Sequence, residues 1–102
     1  MASATNTAIA EKLHEMADIL EQQHADAYRV NAYRRAARTV DHHEEAIEEM
    51  LRSNGLAGVI ELPGIGKGIG AAIVEMVTTG RWAQLDRLLG TLEPEHLLYR
   101  RA

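Results

Sequence analysis

Leu62-Pro63-Gly64-Ile65-Gly66-Lys67 is the stretch on which the reading of this chain turns. Pro63 disfavours helical geometry at Leu62, and the glycines at 64 and 66 allow left-handed dihedrals that side chains would obstruct. A tight hairpin follows. Glycine is dense around it: Gly58, Gly64, Gly66, Gly68, Gly70 and Gly80 are six of the eight in the sequence. Downstream, Ile69, Ala72, Ile73, Met76 and Val77 recur at the spacing of a buried helix face, and Thr78-Thr79-Gly80 ends that helix. A helix that starts directly after a glycine turn presents unpaired backbone N–H groups and the positive end of its dipole. Lys67 adds a mobile positive charge at the same mouth, so the hairpin is built to receive an anion.

Two glycine-rich phosphate motifs are excluded by spacing. A dinucleotide fingerprint starting at Gly64 needs glycine where Ile69 stands, and no strand precedes it. A P-loop ending in Gly66-Lys67 needs glycine where Glu61 stands and a hydroxyl residue where Gly68 stands.

Working outward, the rest of the chain reads as helices. Thr5 or Asn6 caps a first helix with Ile9, Leu13, Met16, Ala17 and Leu20 on one face, ending near Gln22-Gln23-His24. Asp26 caps a second, whose Val30, Tyr33, Ala37 and Val40 face inward while Arg34, Arg35 and Arg38 fall mostly elsewhere. A third carries Ile47, Met50 and Leu51, with Glu44, Glu45, Glu48 and Glu49 early, where the helix dipole favours acids, and Gly55 as its stop. Leu56 to Glu61 has room for only a short helix before the hairpin. A last helix starts near Arg81 and carries Trp82, Leu85, Leu88 and Leu89. No run alternates as a strand does, so the fold class is all-α: a compact bundle of four to five short helices joined by short connections.

The chain of 102 residues suffices for one domain, and 46% of it is apolar, which suits a modest core. Cysteine is absent, which removes disulfides, thiolate zinc sites and cysteine nucleophiles together. No targeting segment or membrane span is expected, and a cytoplasmic location is the default. The net charge of −4 argues against a polyanionic partner. The sum hides segregation: residues 28–43 hold four arginines (Arg29, Arg34, Arg35, Arg38) against Asp41, whereas residues 1–27 and 44–61 each carry five acids against one base. A basic face survives within an acidic whole.

The same residues resemble the helix-hairpin-helix motif, and more closely the N-terminal domain of family X DNA polymerases, the group that includes DNA polymerase beta. Asn31-Ala32-Tyr33-Arg34-Arg35-Ala36-Ala37 is similar to that domain's second helix, and Leu62-Pro63-Gly64-Ile65-Gly66 through Thr79-Gly80-Arg81 to its hairpin and following helix. The resemblance covers roughly residues 9–89 and implies a domain over residues 6–92, with a flexible N-terminus at 1–5. It also implies DNA binding without sequence reading, through the amides of Gly64, Gly66 and Gly68 on phosphates. Ile65, Lys67, Arg29, Arg34, Arg35 and Arg38 complete the expected DNA-binding set. The carbonyls of Ile60, Leu62 and Ile65 would hold a monovalent cation, Na+ or K+; no other cofactor is expected. Some members are lyases that form a Schiff base through a lysine. That lysine falls at Ala72 here, a supporting lysine at Gly68 and another basic position at Gln84, so no enzyme activity is expected.

Residues 93–102, from Pro94 onward, read as a capped helix start, and proteins with this resemblance usually continue into a second helix-hairpin-helix. The chain is therefore expected to be one domain of a longer protein. The five histidines and the acids of residues 44–49 suggest solvated faces rather than a metal site. Trp82 and Tyr33 suggest core packing more than base stacking. The leading expectation is a monomeric, non-catalytic DNA-backbone module of repair or replication. The alternatives are a helical protein-interaction or spacer domain, which the net negative charge favours, or part of a larger family X polymerase-like protein.

Overall fold

The computed structural model describes residues 4–90, and among them the chain is all-α. Five helices run α1 Ala4–Gln22, α2 Ala27–His42, α3 Ile47–Ile60, α4 Lys67–Thr79 and α5 Ala83–Gly90. The final helix start read at residues 93–102 lies outside the described residues, as do residues 1–3.

α1 is the hub. It buries Ile9, Ala10, Leu13, Met16, Ala17, Ile19 and Leu20, a stripe too wide for one neighbour, and it touches α2, α3, α4 and α5. Against it α2 lays Val30, Ala36, Ala37 and Val40; the two adjacent alanines have no bulk to hold the helices apart. Each buried aliphatic side chain contributes on the order of 1.5–3 kcal/mol. The most extensive contacts join α1 to α2 and α3 to α4, so the bundle is two helix pairs sharing α1 as their common wall.

Helix ends follow the sequence at α2 and depart from it at α1 and α5. The Asp26 side chain accepts from the Tyr28 amide at 3.0 Å and caps α2 as read. Asn6 does not cap α1, which already begins at Ala4. Fully buried, its Oδ1 accepts from the Ile47 amide at 2.9 Å, and its Nδ2 donates to the Glu45 carbonyl at 3.0 Å. The N-cap of α3 is Ala46, which offers no side-chain acceptor. Asn6 therefore supplies from 41 residues away the cap that α3 lacks locally. Thr5, helical rather than part of a loose lead-in, donates to Glu48 on the same helix at 3.3 Å.

Gly55 adopts φ 66°, ψ −162° inside α3 and breaks it, leaving a short helical turn that carries Gly58, Val59 and Ile60 toward the hairpin. α5 starts at Ala83 rather than Arg81. The Ala83 amide is satisfied by the Glu75 carboxylate of α4 at 2.7 Å, a partner that local spacing does not reveal. No described helix is long and apolar enough to cross a membrane.

Candidate nucleic-acid interface

The hairpin is a tight turn with a definable chemistry. The Ile65 amide donates to the Leu62 carbonyl at 3.1 Å, with Pro63 and Gly64 between them, and Gly64 has φ 80°. Proline first and a positive-φ glycine second is the pattern of a type II turn. Ile65 then turns inward, 3% exposed, and anchors the loop in the core. Gly64 is doubly constrained: beyond its φ, a Cβ there would stand 3.0 Å from Cγ and Nε of Arg35. Gly70 is needed for packing, because a Cβ would meet Cγ2 of Ile60 at 2.7 Å.

Gly66 and Gly68 are different. Both have open space where a Cβ would go, and Gly66 at φ −89°, ψ −173° occupies backbone that other residues adopt. Neither the fold nor the dihedral of Gly66 requires glycine, so the bare backbone faces outward. Gly66 is the N-cap of α4, and no side chain caps the helix. The first helical bond runs from the Gly70 amide to the Gly66 carbonyl at 2.8 Å. Among the described residues the amides of Lys67, Gly68 and Ile69 have no protein acceptor, and they point their donors, with the helix dipole, out of the hairpin mouth.

Of the basic residues read from the sequence, Arg29, Arg35, Arg38 and Lys67 are exposed and enter no ion pair among the described residues. Arg35 lies across Gly64, so a guanidinium and the hairpin share one surface. Arg34 does not join them. It faces α1, half-buried, and bonds Asp18 at 3.0 Å and Glu21 at 3.2 Å. Helical geometry explains this: one residue turns the side chain by about 100°, which carries Arg34 to the flank of α2 that meets α1.

Two grooves flank the hairpin. One, of about 250 Å³, is lined by Tyr28, Asn31, Ala32, Arg35 and Gly64. The other, of about 490 Å³, is lined by Tyr28, Arg29, Ala32, Tyr33, Gly68, Ile69 and Gln84. Tyr28 borders both and is 82% exposed, an aromatic platform that the sequence reading passed over. Its signal was its offset from the stripe of Val30, Tyr33, Ala37 and Val40. Trp82, by contrast, is 2% exposed and packs at a tilt on Tyr33, ring centroids 5.9 Å apart, and Tyr33 in turn lines the second groove. Gln84 and Gly68 line that groove where the resemblance places basic residues, and Ala72 is buried. Among the described residues no three His, Asp or Glu side chains gather as a metal site would need.

A family model described as a helix-hairpin-helix domain matches residues 4–82, the span from the start of α1 to Trp82. The chain belongs to the helix-hairpin-helix domain family. The match takes in α1 and α2 as well as the hairpin, so the basic face of α2 is part of the domain and not an appendage. Domains of this family generally bind DNA without regard to its sequence. No curated protein matches the sequence.

Proposed function

We propose that this domain grips the sugar-phosphate backbone of DNA without reading its sequence, and that it serves DNA repair or replication. The observation that carries this reading is the mouth of α4: three uncapped amides beside a glycine with no internal reason to be glycine. A phosphate oxygen satisfies such donors, and a bare Gly66 lets the backbone come close. Lys67, Arg35, Arg38 and Arg29 supply the neutralising charge, and Tyr28 offers a face on which an unpaired base can stack.

The carbonyls of Ile60, Leu62 and Ile65 would hold a monovalent cation, Na+ or K+, which would supply positive charge to a bound phosphate. Carbonyl oxygens suit a hard cation, and Leu62, which accepts from Ile65 at 3.1 Å, keeps a second lone pair for it. When bound, the cation adds positive charge to the turn without any side chain.

Catalysis is not part of the proposal. The position that forms a Schiff base in the resembling lyases is Ala72, which has no amine. Lys12, the other lysine, lies in a cavity with Thr5, Ala8, Ile9, Met76 and Gly80, which shares no residue with the hairpin grooves. Borohydride treatment on DNA carrying an abasic site should trap no adduct; an adduct through Lys67 or Lys12 would assign a lyase instead.

Fluorescence anisotropy with labelled duplex and gapped DNA over a salt series tests the binding. Affinity should fall linearly in log–log form, by about 0.9 per phosphate neutralised, with four exposed cations setting a slope between about −2 and −4. Binding that ignores salt, or that follows base sequence, would overturn the reading. The net charge of −4 favours a second one, a protein-docking or spacer domain, and failure to bind any DNA at low salt would select it.

A further inference from the structure

The proposed interface is split between two helix pairs. The amides belong to the hairpin between α3 and α4, whereas Arg29, Arg35, Arg38 and Tyr28 belong to α2, whose extensive packing is against α1. Something must set the register between them. Arg35 lies over Gly64, but a long flexible side chain adapts to a turn rather than fixing it. Thr39, one helical turn further along the same face of α2, donates its hydroxyl to the Pro63 carbonyl at 2.8 Å.

That bond runs against the habit of helical threonines, which turn the hydroxyl back to the carbonyl four residues earlier. Thr79 in α4 does this, bonding the Glu75 carbonyl at 2.8 Å. Thr39 reaches out of its helix to the hairpin instead. We infer that Thr39 is a positioning residue that ties the basic face of α2 to the hairpin turn, so that guanidinium and amide groups engage the same stretch of DNA backbone. The inference rests on the DNA-binding reading above. The tie itself is a property of the free protein.

The test compares wild type, Thr39→Val and Thr39→Ser by anisotropy on a fluorescein-labelled 20-base-pair duplex across a salt series. Valine keeps the shape and the branching at Cβ and removes only the donor. Thr39→Val should bind about three- to tenfold more weakly, the range that the net worth of one hydrogen bond allows. Its log–log salt slope should be shallower by about one, because an arginine of α2 no longer acts with the hairpin. Thr39→Ser should restore both values.

Equal affinity and slope for Thr39→Val and wild type would overturn the inference. So would equal weakening of the valine and serine variants together with a falling melting temperature, which marks general destabilisation. If wild type binds no DNA, the functional reading fails, and the tie is then read alone from the free protein's amide spectrum. Thr39→Val should move the Gly64, Ile65 and Lys67 resonances, and a spectrum unchanged at those three would remove the tie as well.

Discussion

Gly66→Val separates what the hairpin does for the fold from what it does for DNA. At φ −89°, ψ −173° the backbone suits a β-branched residue, and nothing lies within 4 Å of the added Cβ. Valine is a poorer N-cap than glycine, but it also restricts the unfolded chain, which works in the opposite direction. The two nearly offset, and the net change in stability should stay within about 1 kcal/mol, a shift of roughly 5 °C or less for a domain of this size. The consequence for binding is much larger. A phosphate oxygen bonded to the amides of Lys67 or Gly68 must approach to about 2.9 Å, and the valine methyls occupy the space in front of them. Losing one charge-assisted hydrogen bond costs about 1.5–3 kcal/mol, so affinity should fall roughly 10- to 100-fold. Anisotropy at fixed low salt, paired with thermal unfolding by circular dichroism, reads both quantities. Wild-type affinity in a folded Gly66→Val protein would refute the argument that the open side of the hairpin is where the backbone sits. A collapse in stability would refute the argument that glycine there is free of structural duty.

Gly68→Lys should move the protein the other way: the position is open and lysine is the better helix former by several tenths of a kcal/mol, so binding should tighten and the salt slope steepen by about one. An unchanged slope would place residue 68 away from the phosphates. Asn6→Ala should cost about 2–4 kcal/mol: about 1–3 for the buried Ile47 amide left without an acceptor, and about 1 for the Glu45 carbonyl that loses its donor. Differential scanning calorimetry should show a melting temperature lower by about 10 °C or more, and a drop under about 3 °C would mean that water replaces the cap.

What the sequence disclosed was mainly what the chain decides locally. The turn at Leu62 to Gly66, the cap at Asp26, the break at Gly55 and the inward stripes of α1 and α2 each depend on residues within a turn or two of one another. Propensity and periodicity therefore reach them. Asn6 was misassigned because a helix-capping residue looks the same whether it caps its own helix or one 41 residues away; only the packing of α1 beside α3 decides. Arg34 was grouped with Arg35 on charge and on the resemblance of residues 31–37. The helix rotates it onto α1, where Asp18 and Glu21 claim it. Tyr28 and Thr39 were passed over because an aromatic and a hydroxyl near a core stripe are read as packing unless the face they leave exposed is known.

The placement of charge bears on how an acidic protein holds a polyanion. Glu48 and Glu49 occupy the first turn of α3, next to the start of α1, while the hairpin follows the other end of that helix. At about 1.5 Å of rise per residue, and allowing for the kink at Gly55, the two ends lie on the order of 15–20 Å apart. At physiological ionic strength charges separated by more than about 8 Å are largely screened. A phosphate at the hairpin then responds to Lys67 and Arg35 and little to the distant glutamates. Near 0.01 M salt the screening length grows to about 30 Å, and the whole acidic surface acts on the DNA. The log–log salt plot should therefore be linear at moderate salt and flatten as salt falls toward about 0.01 M. Neutralising substitution of Glu48 and Glu49 to Gln should lessen the flattening at the low end without changing affinity at about 0.15 M. If that double variant instead binds more tightly at both salt concentrations by the same factor, the acids stand close to the DNA, and the face assigned to the backbone is wrong.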